Sequence, residues 1–166
     1  MLKKEKFLEI KSILIACAVN TARSRIAEGF FNYFFSKNKL KIDIKSCGVG
    51  SNARDGMLIS LDAILVMKEI GIELSTKSLS KSLKNHLELL NECDLIITMT
   101  GKQKKSVLKI NQNNTIPVIT LNEFAGKDGN IDDPSMKGIE GFRKIRDEIK
   151  ECIVNGLRYY IPNLKS

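Results

Sequence analysis

The chain has 166 residues, 43% of them apolar, enough for one ordinary domain with a real core and too apolar for a disordered segment. Its 27 Lys and Arg against 19 Asp and Glu give a net charge of +8; the lysines are spread out and no nucleic-acid motif accompanies them, so a solvated surface suited to an anionic substrate is expected rather than a nucleic-acid partner. Four scattered cysteines without a C-x-x-C pair, and a single histidine (His86), argue against a zinc or histidine-rich site and leave no metal or cofactor to expect.

Residues 1–11 read as a short charged N-terminal extension or a first helical turn. The apolar segment that follows is broken by Glu9, Lys11 and Ser12, too short for an export signal or a membrane span, so a soluble cytoplasmic protein with no membrane partner is expected. Ser12–Ala16, with Ile-Leu-Ile in unbroken sequence, predicts a buried parallel strand. A helix follows from Arg23 to Ser36, its Ile26, Ala27, Phe30, Phe31 and Phe34 at helical spacing for the core. Lys41–Lys45 alternates as a second strand, ending at a glycine-containing loop that opens with Ser46-Cys47-Gly48-Val49-Gly50. Helices are expected over Leu58–Ile70, with Gly71 as its C-terminal stop, and over Leu79–Asn91.

Asp94–Met99 reads as the third strand; Thr100-Gly101 turns into a helix over Lys102–Lys109, and Asn111–Asn114 is a polar loop. Ile116–Ile119 is the fourth strand, put at a sheet edge or at a strand start by Pro117. A loop at Gly126–Asn130 leads to Asp132-Asp133-Pro134 and a long helix over Lys137–Tyr159. Strands alternating with helices predict an α/β fold: a single domain over 12–160, with a four-stranded parallel sheet and helices on both faces. Ligands in such sheets bind at the carboxyl ends of strands, where Cys17, Ser46–Gly50 and Thr100 all fall.

Cys17-Ala18-Val19-Asn20-Thr21-Ala22-Arg23-Ser24 spans the first strand-to-helix turn. Successive backbone N–H groups and the positive end of a helix make such a turn a cradle for a tetrahedral oxyanion. Arg23 can grip two phosphate oxygens with its planar fork, and the positive field favours the thiolate of Cys17, the nucleophilic form.

The Cys-x5-Arg-Ser loop near the N-terminus, Ala27-Glu28-Gly29 in the next helix, Ser46-Cys47-Gly48-Val49 after the second strand, Asp94–Met99 and a late Asp133-Pro134 together resemble the low-molecular-weight protein tyrosine phosphatase family, over roughly residues 12 to 155. The resemblance implies a phosphoprotein phosphatase in which Cys17 attacks phosphorus and carries a phosphocysteine. It implies that Ala18, Val19, Asn20, Thr21, Ala22, Arg23 and Ser24 bind the phosphoryl group. Ser24 would donate to the thiolate, and Asn20 and Ser46 would brace the loop, Asn20 because asparagine tolerates a left-handed backbone. Asp133 would protonate the leaving group and then activate water; Asp132 is its rival, and the residue directly before Pro134 is the one that matches.

Four departures from the family's pattern stand out. Val19 occupies a glycine position, and Ala22 one commonly held by a second cysteine, so a protective loop disulfide is not expected. Arg25 replaces a proline, which puts an extra cation near the mouth, and Ser135 replaces an aromatic that walls the pocket. Phosphotyrosine is the default substrate the family implies. Thr21 and the Val118–Asp133 stretch resemble the family's arginine-phosphatase branch, so protein phosphoarginine is the alternative. Val19 and Ser135 also motivate a reading of another class, a phosphate-binding module without turnover. The arsenate reductases share the loop but need a pair of further cysteines near the third strand, where Cys93 stands alone.

Overall fold

A computed structural model describes residues 2–113 and 115–166; Met1 of the extension and Asn114 of the 111–114 loop lie outside the described residues. Four strands, Ser12–Cys17 (β1), Asp43–Gly48 (β2), Leu95–Thr98 (β3) and Val118–Thr120 (β4), form one parallel sheet in the order β2-β1-β3-β4. The chain leaves β1 towards one side and returns to the other, so the topological switch lies between the carboxyl ends of β1 and β3, the place where such sheets open a crevice. β4 is the edge strand, one of the two places Pro117 predicts, and the Pro117 carbonyl accepts from Ile96 N–H.

The helices are Lys4–Leu8 (α1), Arg23–Lys37 (α2), Leu61–Lys68 (α3), Glu88–Asn91 (α4), Gly101–Ile110 (α5), Leu121–Phe124 (α6) and Gly138–Tyr160 (α7). One face of the sheet, with Ile13, Ile15, Cys17, Leu95 and Ile97, is covered by α2 and α7 with α1, α3 and α6. The other, with Leu14, Ala16, Cys47 and Ile96, meets Leu83, Leu89, Leu90 and Val107. The alternation of Ile13-Leu14-Ile15 between the two clusters is what a strand buried on both faces requires.

Three expectations need correction. The second strand starts at Asp43 and continues through Ser46, Cys47 and Gly48, because these pair in register with Ile15, Ala16 and Cys17 of β1. The helix expected over Leu58–Ile70 is shorter, since the Ser60 hydroxyl caps it by accepting from Ala63 N–H. Leu79–Asn91 is not one helix but an extended stretch, a 3-10 turn at Leu83–Asn85 and α4. Its backbone is engaged elsewhere: Ser80 N–H donates to the Met57 carbonyl, Ser82 N–H to Asp55 Oδ1, and the Lys81 carbonyl accepts from Gly48 N–H. The short α6 is closed by a capping box between Thr120 and Glu123.

Residues 2–10 pack on the domain: Leu2, Phe7 and Ile10 are buried, Phe7 stacks on Tyr160 at 4.3 Å, and Tyr160 Oη donates to the Leu2 carbonyl. Phe124 joins the same aromatic group and lies against Gly156 of α7, where an added Cβ would come within 2.3 Å of the Phe124 ring. Gly156→Ala gains up to about 1 kcal/mol of helix propensity. Overpacking costs roughly 1–3 kcal/mol and wins here, since Phe7, Phe31 and Tyr160 hold the ring in place. Thermal unfolding of Gly156→Ala is expected to show Tm lowered by about 2–8 °C; an unchanged or raised Tm would contradict this packing.

Candidate active site

β1 delivers Cys17 to the switch point, and the chain beyond it is held from both sides. Met99 N–H donates to the Ala16 carbonyl, Val49 N–H to that of Cys17, and Gly50 N–H to that of Ala18. The turn then reverses through Asn20, whose φ of +62° lies in the left-handed region. Val19, despite standing at a glycine position, is not in that region, so its β-branched side chain does not strain the loop. α2 begins at Arg23 with Ala22 as its N-cap; no side chain caps it and no acidic residue sits in its first turn. Its free N–H groups and dipole therefore face the loop with no internal anion to satisfy them.

Inside the loop a chain of polar contacts runs away from the sulfur. The Cys17 thiol donates to Ser24 Oγ at 3.0 Å and accepts from Asn20 N–H at 3.3 Å. Asn20 Nδ2 donates to Ser24 Oγ and Ser46 Oγ, both at 2.9 Å, while Lys81 N–H donates to Asn20 Oδ1 at 3.0 Å. Ser46 Oγ in turn donates to Glu28 Oε2 at 2.6 Å. All of Asn20's side-chain polar atoms are thus used, which fixes a residue whose backbone is intrinsically unfavourable. The sequence pattern alone does not place Glu28 or the Lys81 backbone in this network. Glu28 lies one helical turn past Ser24, the spacing that could have signalled it; nothing in the sequence signals a backbone donor at Lys81.

Arg23, 7% exposed, donates from Nη1 to the Ile131 carbonyl at 2.8 Å, and its Nη2 lies 4.0 Å from Asp133 Oδ2. Ile131 N–H is anchored on the Met99 carbonyl beyond β3, so the segment carrying Asp133 hangs from the same sheet end as the loop. Asp133 does not cap α7, which starts at Gly138 with Lys137 as its cap; it accepts instead from Ser135 N–H at 2.9 Å. Partial burial opposes its charge, but the hydrogen bonds from Ser135 and the nearby Arg23 outweigh that and hold its carboxyl below the usual carboxylate range. Asp132 adds to the negative field at Glu148 on α7.

Gly48 and Gly50 pass so close to the turn that an added Cβ would lie 3.0 Å and 2.9 Å from the Ala18 carbonyl oxygen. That atom is backbone, so the loop itself has to move. Gly50→Ala is expected to weaken competitive inhibition by inorganic phosphate by about tenfold, through N–H donors displaced from the cradle. The inhibition constant checks it, and an unchanged value would mean the loop accommodates the methyl.

Beside the loop opens a cavity of 560 Å³ lined by Val19, Thr21, Ser51, Asn52, Ala53, Arg54 and Met57, with no aromatic ring among them. Arg25 is not at this mouth, contrary to expectation: it is buried, donates to the Ser78 carbonyl and pairs with Glu28 at 3.7 Å. Thr100 is likewise drawn away, its hydroxyl capping α5 by accepting from Gln103 N–H. The four cysteines are free thiols. Cys47 faces the opposite side of the sheet from Cys17. Among the described residues no three His, Cys, Asp or Glu side chains converge as metal ligands, and no helix is long and apolar enough to cross a membrane.

The sequence model of the low molecular weight phosphotyrosine protein phosphatase family matches residues 12–159. A protein-arginine-phosphatase of Geobacillus stearothermophilus is 32% identical over 142 residues, covering 85% of this chain and 90% of the relative. The crystal structure of a low molecular weight protein tyrosine phosphatase from T. tengcongensis superposes with a TM-score of 0.81 at 30% identity, over 89% of this chain and 98% of that one. An arginine phosphatase mutant described as carrying a phosphorylated active-site serine also reaches a TM-score of 0.81, at 26% identity over 92% and 96% of the two chains.

Proposed function

Since the chain belongs to the low molecular weight phosphotyrosine protein phosphatase family, we propose that it removes phosphoryl groups from proteins through a phosphocysteine at Cys17, with Asp133 as proton donor and acceptor. The observation that carries this reading is the Cys17 sulfur held between Asn20 N–H and Ser24 Oγ at the uncapped start of α2, with Arg23 4.0 Å from Asp133.

The substrate's phosphoryl oxygens take the N–H groups of residues 18–24 other than that of Asn20, which the sulfur holds, and the Arg23 guanidinium. Once Cys17 ionises, its contact with Ser24 runs the other way: the Ser24 hydroxyl accepts from Asn20 Nδ2 and donates its own proton to the thiolate. The thiolate attacks phosphorus as the bond to the leaving group breaks, and Asp133 gives that group its proton. Water then attacks the phosphocysteine, Asp133 takes a proton from it, and the S–P bond breaks to release inorganic phosphate and the thiolate. The cradle binds the equatorial oxygens most tightly when they are coplanar in the transition state.

Phosphotyrosine is the substrate the family implies. A second reading, phosphoarginine on proteins, is favoured by a specific observation: Thr21 lines the mouth and no aromatic residue lines it with Thr21, so a tyrosine ring finds no stacking partner there. The 32% identical relative is a protein-arginine-phosphatase, which supports the same reading. A reductase-type disulfide shuttle is disfavoured. Cys93 precedes β3 at its amino end, about 20 Å along the strands from Cys17, and burial with the neighbouring Asp94 and Glu92 pushes its thiol up to about 12. Phosphate release from matched phosphotyrosine and phosphoarginine peptides, beside p-nitrophenyl phosphate, tests the proposal. Hydrolysis of one peptide class over the other assigns the substrate. Retained phosphate binding with no hydrolysis of any of the three would leave a binding module and overturn the enzyme.

A further inference from the structure

The loop between β2 and α3 sorts its charges. Asp55 is turned to the back, where its carboxylate accepts from Ser82 N–H at 2.8 Å and Asn85 Nδ2 and pairs with His86 at 3.0 Å. Arg54, the residue before it, is exposed and lines the cavity beside Val19 and Thr21. Among the described residues its guanidinium has neither an ion-pair nor a hydrogen-bond partner, unlike Arg23, Arg25, Arg143 and Arg146.

The backbone that carries Arg54 is fixed. Its carbonyl accepts from Ser80 Oγ at 2.7 Å, Met57 N–H donates to that Ser80 hydroxyl at 2.9 Å, and Gly56 N–H donates to the Ser80 carbonyl at 3.0 Å. Ser80 itself is buried. The ordering cost of presenting this cation is therefore met in the free protein, apart from its own side-chain rotamers. The cavity joins the phosphate cradle through Val19 and Thr21, so a substrate seated by its phosphoryl group lays its neighbouring residues along it.

We propose that this cavity is a subsite for the residues flanking the phosphorylated one, and that Arg54 makes it select an acidic side chain there. The inference rests on the phosphatase reading and adds to it a specificity-determining residue outside the Cys-x5-Arg loop. Ser51 and Asn52 supply neutral hydrogen-bonding walls, and no carboxylate lines the cavity to reward a basic flank.

The test uses phosphotyrosine and phosphoarginine peptides that differ only in carrying Glu, Ala or Lys beside the phosphorylated residue. Wild type is expected to give kcat/KM about fivefold higher with Glu than with Lys, the size of a partly exposed ion pair. Arg54→Ala brings the ratio near one and Arg54→Glu inverts it. Turnover of p-nitrophenyl phosphate, which has no flank, changes by less than about twofold, the limit left once only long-range steering acts. Lys11→Glu, an equal change of net charge at the amino end of β1, keeps the wild-type ratio. A wild-type ratio of one, a ratio unmoved by Arg54→Glu, or an equal shift in Lys11→Glu overturns the subsite. Should wild type fail to hydrolyse p-nitrophenyl phosphate, it is the phosphatase reading that falls. Calorimetric titration of the same peptides then decides the subsite: a Glu preference lost in Arg54→Glu supports it, and absent binding or preference overturns it.

Discussion

Cys17→Ser is expected to abolish turnover of p-nitrophenyl phosphate, lowering kcat by at least about 10⁴-fold, while leaving the fold and the phosphate cradle in place. The sulfur is the one atom at the turn that can be both a strong nucleophile and a leaving group at neutral pH; a serine hydroxyl held in the same field remains protonated and attacks slowly. The serine still keeps the local bonds, since its oxygen can accept from Asn20 N–H and exchange a hydrogen bond with Ser24 Oγ. The stability change is therefore expected to stay within about 1–2 kcal/mol, and phosphate affinity, which in the proposed mechanism rests on backbone N–H groups and Arg23, within a few-fold. Steady-state kinetics, calorimetry with inorganic phosphate and thermal unfolding check the three parts. A variant that retained even a tenth of wild-type turnover would mean that the nucleophile lies elsewhere.

Much of this arrangement is legible in the sequence because the chemistry is local. Eight consecutive residues hold the thiol, the guanidinium, the left-handed asparagine and the serine that meets the sulfur, and the apolar runs on either side of them specify a strand and a helix. The edge position of β4 agrees with Pro117, while the strand order β2-β1-β3-β4 is not written in the sequence pattern. What sequence reading misses is carried by pairings between distant segments. Ser46 reads as the start of a loop because its strand is polar at Lys45 and Ser46; only the ladder with Ile15 makes it part of β2. Leu79–Asn91 has helical spacing of apolar residues, yet its amides serve the loop at 54–57 and Asn20 instead. Arg25 reads as a cation of the mouth because its neighbours Arg23 and Ser24 belong to the site. On a helix, two residues onward is most of the way to the opposite face, and there Glu28 and the Ser78 carbonyl hold it.

Asp133→Asn is the second large effect, and its size depends on the leaving group. General acid catalysis is worth roughly 10²–10⁴, so kcat for an alkyl or aryl phosphate with a poor leaving group is expected to fall about 10³-fold, and that for p-nitrophenyl phosphate, whose anion leaves readily, about tenfold. The pH dependence follows from the carboxyl's position. In the free protein Ser135 and Arg23 keep Asp133 ionised below the usual carboxylate range, so it lacks the proton the first step requires. A bound phosphoryl dianion turns that balance: it engages Arg23 and places two negative charges beside the carboxylate, which raises its pKa. The alkaline limb of kcat, which reports the enzyme–substrate complex, should therefore lie at higher pH than that of kcat/KM, which reports free enzyme and substrate. Both limbs should vanish in Asp133→Asn, whose amide cannot titrate. The stability side has the opposite sense of demand. A depressed carboxyl stabilises the fold above its unfolded value and loses that contribution as pH falls through its folded value. With the Asp133 side chain 59% exposed, the contribution at neutral pH is small, so the variant should unfold within a degree or two of wild type. Asp132→Asn serves as the comparison, since that side chain contributes to the field at Glu148. A pH–rate profile in which Asp132→Asn, and not Asp133→Asn, removed the alkaline limb would transfer the acid to Asp132 and break the link drawn between Arg23 and proton transfer.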